Sequence, residues 1–319
     1  MPLTARWSVV SMTELTAPAA RALMAEWRLA LTAERKSPKT IALYLDAVGR
    51  YLTWVETQGL PPMRRTTLQT WITDMLGTGR SPSTARIRQQ AVRRYAAWLT
   101  AVGHLEAAPF QGMTSPKLDQ PVVDPLTLDQ VRALLRTCQP EQADDFRAAR
   151  PLRHVRDEAI IRLMAETGIR LSEVIALTAG DLDLPGGLIT IQRGKGGRGR
   201  VIPVGPATAA AIRSYLAVRQ QQHHAGRKEL WLGERGCGLA ADALYRSLRR
   251  RADRAGITGF RPHRLRHTAA HRRLAACGSE SGLMAMAGWT RVEMLIRYTR
   301  ANAGERAAAE ARRLDLGTW

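Results

Sequence analysis

Apolar positions recur at helical spacing along most of this chain. Ile41, Leu45, Val48, Leu52 and Val55 step by four, three, four and three, which lines one face of a helix. Ser37-Pro38 opens that helix, with Ser as the N-cap and Pro at the first helical position, and Gly59 ends it. The same punctuation returns at Ser81-Pro82 and Gly103. Between them Ile87, Ala91, Tyr95 and Trp98 form the expected inner stripe, and Arg86, Arg88, Arg93 and Arg94 spread over the remaining surface. Shorter helices are expected over 18–33 and 66–76. Residues 1–105 thus read as a small helical domain.

The pattern then changes. Residues 106–125, EAAPFQGMTSPKLDQPVVDP, hold four prolines and little periodicity, as a linker does. Residues 126–319 are again mainly helical, with one exception. Leu188–Gln192 and Arg200–Val204 are β-branched runs flanking the Gly-rich stretch RGKGGRG at 193–199, which predicts a hairpin. Near the end, AGERAAAEARRL at 303–314 reads as a tail helix. Its stripe of Ala303, Ala307, Ala311 and Leu314 is small enough to dock closely in a groove. The fold class is therefore mainly α (α+β), in two domains joined by a linker.

Charge narrows the partner. The 319 residues carry 48 Lys and Arg against 28 Asp and Glu, a formal net charge of +20. That excess asks for a polyanion, with nucleic acid ahead of an anionic membrane. Five of the cations are Lys and 43 are Arg, whose planar fork suits phosphate, although the heavy Ala content points to a GC-rich coding sequence as one source of the bias. The excess is +6 in residues 1–125 and +14 after them, so both halves share it. Cys138, Cys237 and Cys277 lie far apart with no C-x-x-C pair, so a disulfide framework or zinc cluster is not expected and a reducing cytoplasm fits. His223-His224 is too small a group to suggest a metal. No apolar run is long enough to span a membrane, and the first twenty residues lack the form of a secretory signal.

Four segments of the second half carry candidate chemistry. They are TGIRLSEV at 167–174, GKGGRGR at 194–200, HRLRHTA at 263–269, and AGWT at 287–290 followed by Tyr298. In this order they resemble the tyrosine recombinases, the phage integrase family, over essentially all of 126–319. The simple two-domain type, like Cre and Xer recombinases, is the best fit. The resemblance implies a SAM-like helical core-binding domain and a mixed α/β catalytic domain, forming a clamp on duplex DNA. Larger members carry an arm-binding domain ahead of the first helix; with fewer than about twenty residues there, none is expected here.

The same resemblance assigns roles. Arg170 and Arg266 hold the non-bridging phosphate oxygens, and His263 positions the phosphate and handles the nucleophile's proton. Lys195 protonates the departing 5′ oxygen. Tyr298 attacks and becomes a 3′-phosphotyrosine. Trp289 stands where many members have His; an indole can donate a hydrogen bond but cannot titrate. Glu173 and His267 match supporting positions that orient Arg170 and the local helix ends. Arg198, Arg200 and Arg264 join the four arginines of the first domain as DNA contacts.

Chemistry justifies these residue types independently. Breaking and rejoining a phosphodiester without ATP needs a nucleophile that stores the bond as a covalent ester, and paired arginines can hold the developing charge without a metal. No cofactor is expected. Each residue also has a plainer reading. A lone Tyr in a helical stretch usually anchors packing, Arg170 could cap a helix, and Trp289 could fill a core; the ordered set of motifs outweighs these. The expected partners are paired DNA sites and three further copies of the chain, assembled on a Holliday junction from free monomers in the nucleoid. A type IB topoisomerase and a non-catalytic, integrase-derived DNA-binding protein remain as alternatives.

Overall fold

In a computed structural model the described residues are 15–118, 124–139, 151–192, 199–233, 237–276, 279–290, 292, 294–295, 308 and 311–312. They divide into two compact units, Met1–Pro121 and Val122–Trp319.

The first unit is helical. It comprises α1 (Ala17–Ala22), α2 (Met24–Ala33), α3 (Pro38–Gln58), α4 (Arg65–Gly77) and α5 (Pro82–Ala101). Ser37 and Ser81 cap α3 and α5, each hydroxyl accepting from the backbone N–H three residues on, and Gly59 closes α3 in the left-handed conformation. The single helix expected over 18–33 is broken in two at Leu23. Trp27, Tyr51, Leu52, Tyr95 and Leu99 centre the core. The Trp27 ring lies 4.8 Å from that of Tyr95.

The inner face of α5 differs from the expected one. Ile87 is 39% exposed and Trp98 only partly buried, while Ala91 and Tyr95 are inside as expected, joined by Ala85, Gln89, Val92, Ala96 and Leu99. Buried Gln89 is half satisfied: its Nε2 donates to the Thr114 carbonyl at 2.9 Å, while its Oε1 is buried with no hydrogen-bond partner among the described residues. The proline-rich stretch is packed on this unit as far as Thr114: Phe110 and Met113 belong to its core.

The second unit is built around α7 (Leu152–Thr167), whose buried residues fall on every side, so no amphipathic pattern marks it. Around it lie α6 (Leu128–Arg136), α8 (Leu171–Ala176), α9 (Pro206–Gln220), α10 (Ala241–Arg254), α11 (His263–Ala275) and α12 (Glu280–Ala287). The strands β1 (Leu182–Asp183), β2 (Leu188–Ile191) and β3 (Arg200–Pro203) form one antiparallel sheet in the order β1-β2-β3. Ile189 pairs with Ile202, both buried, and Ile191 pairs with Arg200 at the end nearest the Gly-rich stretch. The expected hairpin is therefore present.

Buried charge on α7 is fully bonded. Asp157 Oδ1 accepts from Arg156, and Oδ2 accepts from Arg251 Nε at 2.7 Å and Ser247 Oγ at 2.6 Å. Burial alone would raise the Asp157 pKa; the guanidiniums of Arg156 and Arg251 reverse that and hold it low. This network ties α7 to α10. At the start of the unit, Leu126 N–H donates to Thr268 Oγ1 at 2.8 Å, anchoring the incoming chain on α11. No described helix is long and apolar enough to cross a membrane.

Candidate active site

The site gathers where α7 and α12 end and where α8, α11 and β3 begin. α7 stops at Gly168, which is left-handed at φ +66°. A Cβ there would lie 3.3 Å from Ala269 Cβ and 3.5 Å from Arg266 Cγ, so glycine both allows the turn and lets α11 approach. Two residues on, Arg170 is the N-cap of α8. Its backbone N–H donates to Glu173 Oε2 at 3.0 Å and its Nη1 to Glu173 Oε1 at 2.7 Å. Arg170 thus caps α8, as the plainer reading has it, and its guanidinium is held separately by Glu173.

The C-terminus of α12 organises the rest. Gly288 is left-handed at φ +64°; its N–H donates to the Ala285 carbonyl, and that of Trp289 to Met284 at 2.9 Å. The next three carbonyls each receive an arginine from a different element. Arg200 Nε donates to Met286 O at 2.8 Å, Arg266 Nη2 to Ala287 O at 2.8 Å, and Arg170 Nη2 to Gly288 O at 3.2 Å. Helix-end carbonyls lack partners within the helix and carry partial negative charge, so cations are favoured there. Arg170 and Arg266, 96 positions apart in sequence, come together on neighbouring carbonyls.

Their exposures differ. Arg170 keeps 22% of its side-chain surface open. Arg266 is 2% exposed, its Nη1 donating to Gly168 O at 2.5 Å and its guanidinium lying 5.3 Å from the Trp289 ring centre. Trp289 is itself buried, in a small core with Leu274, Leu283 and Leu295. It is therefore packing and cation partner at once.

His263, the first residue of α11, is exposed as a residue, and its ring meets that of His267 edge-on at 5.0 Å. Its imidazole titrates below the ordinary histidine range. Desolvation of the ring disfavours the charged form, and the guanidiniums of Arg266 and Arg170 oppose another positive charge. With so much of the residue open to solvent, the two cations are the firmer cause.

The supporting residues are better defined than the sequence implied. Glu173 is 3% exposed in its side chain and accepts from Arg170 Nη1. It also receives Arg200, whose Nη1 and Nη2 donate to Oε1 and Oε2 at 3.0 and 2.8 Å. The grouping of Arg200 with outward DNA contacts is corrected here: Nε and both terminal nitrogens are engaged inside, leaving 11% of the side chain exposed. Burial alone would raise the Glu173 pKa; the bonds from Arg200 and from the Arg170 backbone bring it down to about 2.

The other candidate DNA contacts divide. Arg86 is exposed. Arg88 approaches the Met75 sulfur, Arg93 donates to Met113 O at 2.8 Å, and Arg94 pairs with Glu34. Arg264 spans the carbonyls of Asp124 and Thr258 at 3.2 and 3.1 Å. Lys195, Arg198 and Tyr298 lie outside the described residues, as does nearly all of the tail at 303–314. Among the described residues no three His, Cys, Asp or Glu side chains group as a metal site. Sequence reading missed the parts played by Arg200 and Gly288. A glycine just after a helix and before the Trp was the available signal for the cap, and nothing local marked the three carbonyls.

Comparison with known proteins gives this arrangement a lineage. Residues 125–305 match the phage integrase family. The chain belongs to that family. It is 31% identical over 208 residues to the tyrosine recombinase XerC of Roseiflexus castenholzii, covering 64% of this chain and 63% of that protein. It is 36% identical over 148 residues to the tyrosine recombinase XerD of Mycobacterium tuberculosis strain H37Rv, covering 45% of each. The matches thus span less than two thirds of these relatives' lengths. Among solved structures, the Tn1549 transposon integrase in complex with transposon right end DNA aligns at TM-score 0.69 and 19% identity, over 93% of this chain and 99% of that one. A lambda integrase tetramer bound to a Holliday junction aligns at 0.63 and 14%, over 85% and 77%. At these identities the likeness establishes the fold: mainly helical, with a small antiparallel sheet.

Proposed function

We propose that this protein is a site-specific DNA recombinase that cuts and rejoins duplex DNA through a 3′-phosphotyrosine at Tyr298. The observation that carries the reading is the meeting of Arg170 and Arg266 on adjacent carbonyls, with His263 close enough for both guanidiniums to depress its pKa. Two fixed cations beside a neutral imidazole suit a phosphate that gains charge as it is attacked. Arg170, the more open of the two, meets a phosphate oxygen. Arg266 adds its charge from behind, next to Trp289. His263 orients the phosphate and takes the phenol proton.

The tyrosine oxygen forms its bond to phosphorus as the bond to the 5′ oxygen breaks. Lys195, in the chain between β2 and β3, supplies the proton to that oxygen. Rejoining runs the step in reverse with a 5′ hydroxyl as nucleophile, so bond energy is kept and no nucleotide is consumed. His267 and Glu173 support His263 and Arg170. Arg86, Arg88, Arg198 and Arg264 remain as candidate backbone contacts. The names of the curated relatives and the DNA-bound structural neighbours support duplex DNA as the partner. The tetramer on a Holliday junction seen for lambda integrase supports four protomers on paired sites. The exchange of tails between protomers, a monomeric free chain and work in the nucleoid are further parts of the proposal.

The test uses a duplex that the protein itself selects from a randomised pool. Two copies go on one supercoiled plasmid. Products with exchanged flanks support recombination. A ladder of topoisomers alone indicates a type IB topoisomerase activity, and binding without strand cutting indicates a non-catalytic relative.

A further inference from the structure

We infer that Arg200 is a positioning residue for strand cleavage, acting through Glu173 to fix the guanidinium of Arg170. This rests on the recombinase reading and names a part of its machinery that touches no DNA. The geometry is specific. Glu173 has two oxygens, and each is shared by the same pair of residues. Oε1 accepts from Arg170 Nη1 and Arg200 Nη1; Oε2 accepts from the Arg170 backbone N–H and Arg200 Nη2. One buried carboxylate therefore binds two guanidiniums that would otherwise repel, and Arg200 occupies it by a two-bond fork, which fixes its orientation.

Arg200 is also held from the other side. Its Nε donates to Met286 O, two carbonyls before the one Arg170 uses. Gly288 leaves room for this: a Cβ there would lie 3.1 Å from Arg200 Nη1 and 3.2 Å from its Cζ. The glycine of the AGWT motif so serves both the helix cap and the seat of Arg200. Removing Arg200 leaves Glu173 with Arg170 as its one remaining cation in this set. The carboxylate is then free to swing, and Arg170, bonded to it and to Gly288 O, swings with it. A shift of about 1 Å in a group that must match a transition state costs on the order of 100-fold.

The experiment is single-turnover formation of the covalent adduct on a nicked duplex of the selected site, with binding followed by gel shift. Wild-type protein must first form the adduct; failure there counts against the recombinase reading and says nothing of Arg200. Arg200→Ala is expected to bind the site like wild type and to cleave about 100-fold more slowly. The same variant is then given a methylphosphonate at the scissile position, which removes one negative charge from the reacting phosphorus. A defect in placing Arg170 matters less there, so the wild-type to variant ratio should shrink at least about tenfold, since less charge needs holding. A 5′-bridging thiolate, which needs no proton, should leave the ratio unchanged.

Arg200→Gln is the companion should the alanine variant not fold, since it keeps one donor. Arg200→Lys should fall between wild type and Ala, because an ammonium cannot bond both Glu173 oxygens in a fork. Wild-type cleavage by these variants overturns the inference. So does an equal loss on all three substrates, which indicates general damage, and so does rescue by the thiolate, which places Arg200 in proton delivery.

Discussion

The guanidinium of Arg266 lies 5.3 Å from the centre of the Trp289 ring, and both side chains are almost fully buried. A cation that receives little solvent is held by two carbonyls and an aromatic face.

Trp289→Ala should cost about 3 kcal/mol of stability, the usual loss for truncating a buried aromatic, and should reduce cleavage further by loosening Arg266. Trp289→His keeps a ring and a donor nitrogen and should retain most activity. Thermal melts and adduct formation measured on both variants check this; identical behaviour of both with wild type places Trp289 outside the site.

Acid stability follows from Glu173. Its folded pKa of about 2 lies below the ordinary glutamate value of 4.5, so ionised Glu173 favours the folded state. The contribution is fully present above about pH 4.5 and is lost as pH falls from there toward 2, amounting to about 3 kcal/mol at most. Denaturant titrations across that range should show a steeper acid loss in wild type than in Glu173→Gln. Parallel curves contradict the bonding described for Glu173.

Much of this was legible in sequence because the signals were local. Ser37-Pro38 and Ser81-Pro82 marked two helix starts, and the runs either side of 193–199 marked the hairpin. The face of α5 was legible only in part, since two apolar stripes run along it: Ala91 and Tyr95 lie inside, Ile87 does not. The true one is disguised by Ala85, Ala96 and a polar Gln89 whose partner, Thr114, lies 25 residues away. Arg200 was read as a surface cation because its partners, Glu173 and Met286, are remote in sequence and one of them is a backbone carbonyl.

Net charge sets the salt response. A chain at +20 that tracks a DNA backbone releases a counterion for each phosphate it neutralises, giving a slope of about −0.9 per contact in a log–log plot of affinity against salt. Affinity for the selected duplex at several salt concentrations should fall steeply and linearly. A flat plot removes the electrostatic basis for the DNA partner.

Lys195→Ala should slow cleavage of an ordinary phosphodiester far more than it weakens binding. On a 5′-bridging thiolate the leaving group needs no proton, and cleavage should return to near the wild-type rate. Persistence of the defect on that substrate assigns the acid to another residue.

The most direct test of the account is the identity of the nucleophile. Wild-type protein is incubated with a nicked duplex of its selected site, so that the released fragment diffuses away and the covalent complex accumulates. Denaturing gels detect the adduct, and peptide mass spectrometry locates it. The account predicts a 3′-phosphate ester on Tyr298 in wild type, and no adduct with Tyr298→Phe although that variant still shifts the duplex. An adduct that survives in Tyr298→Phe, or one mapped to a different residue, contradicts it.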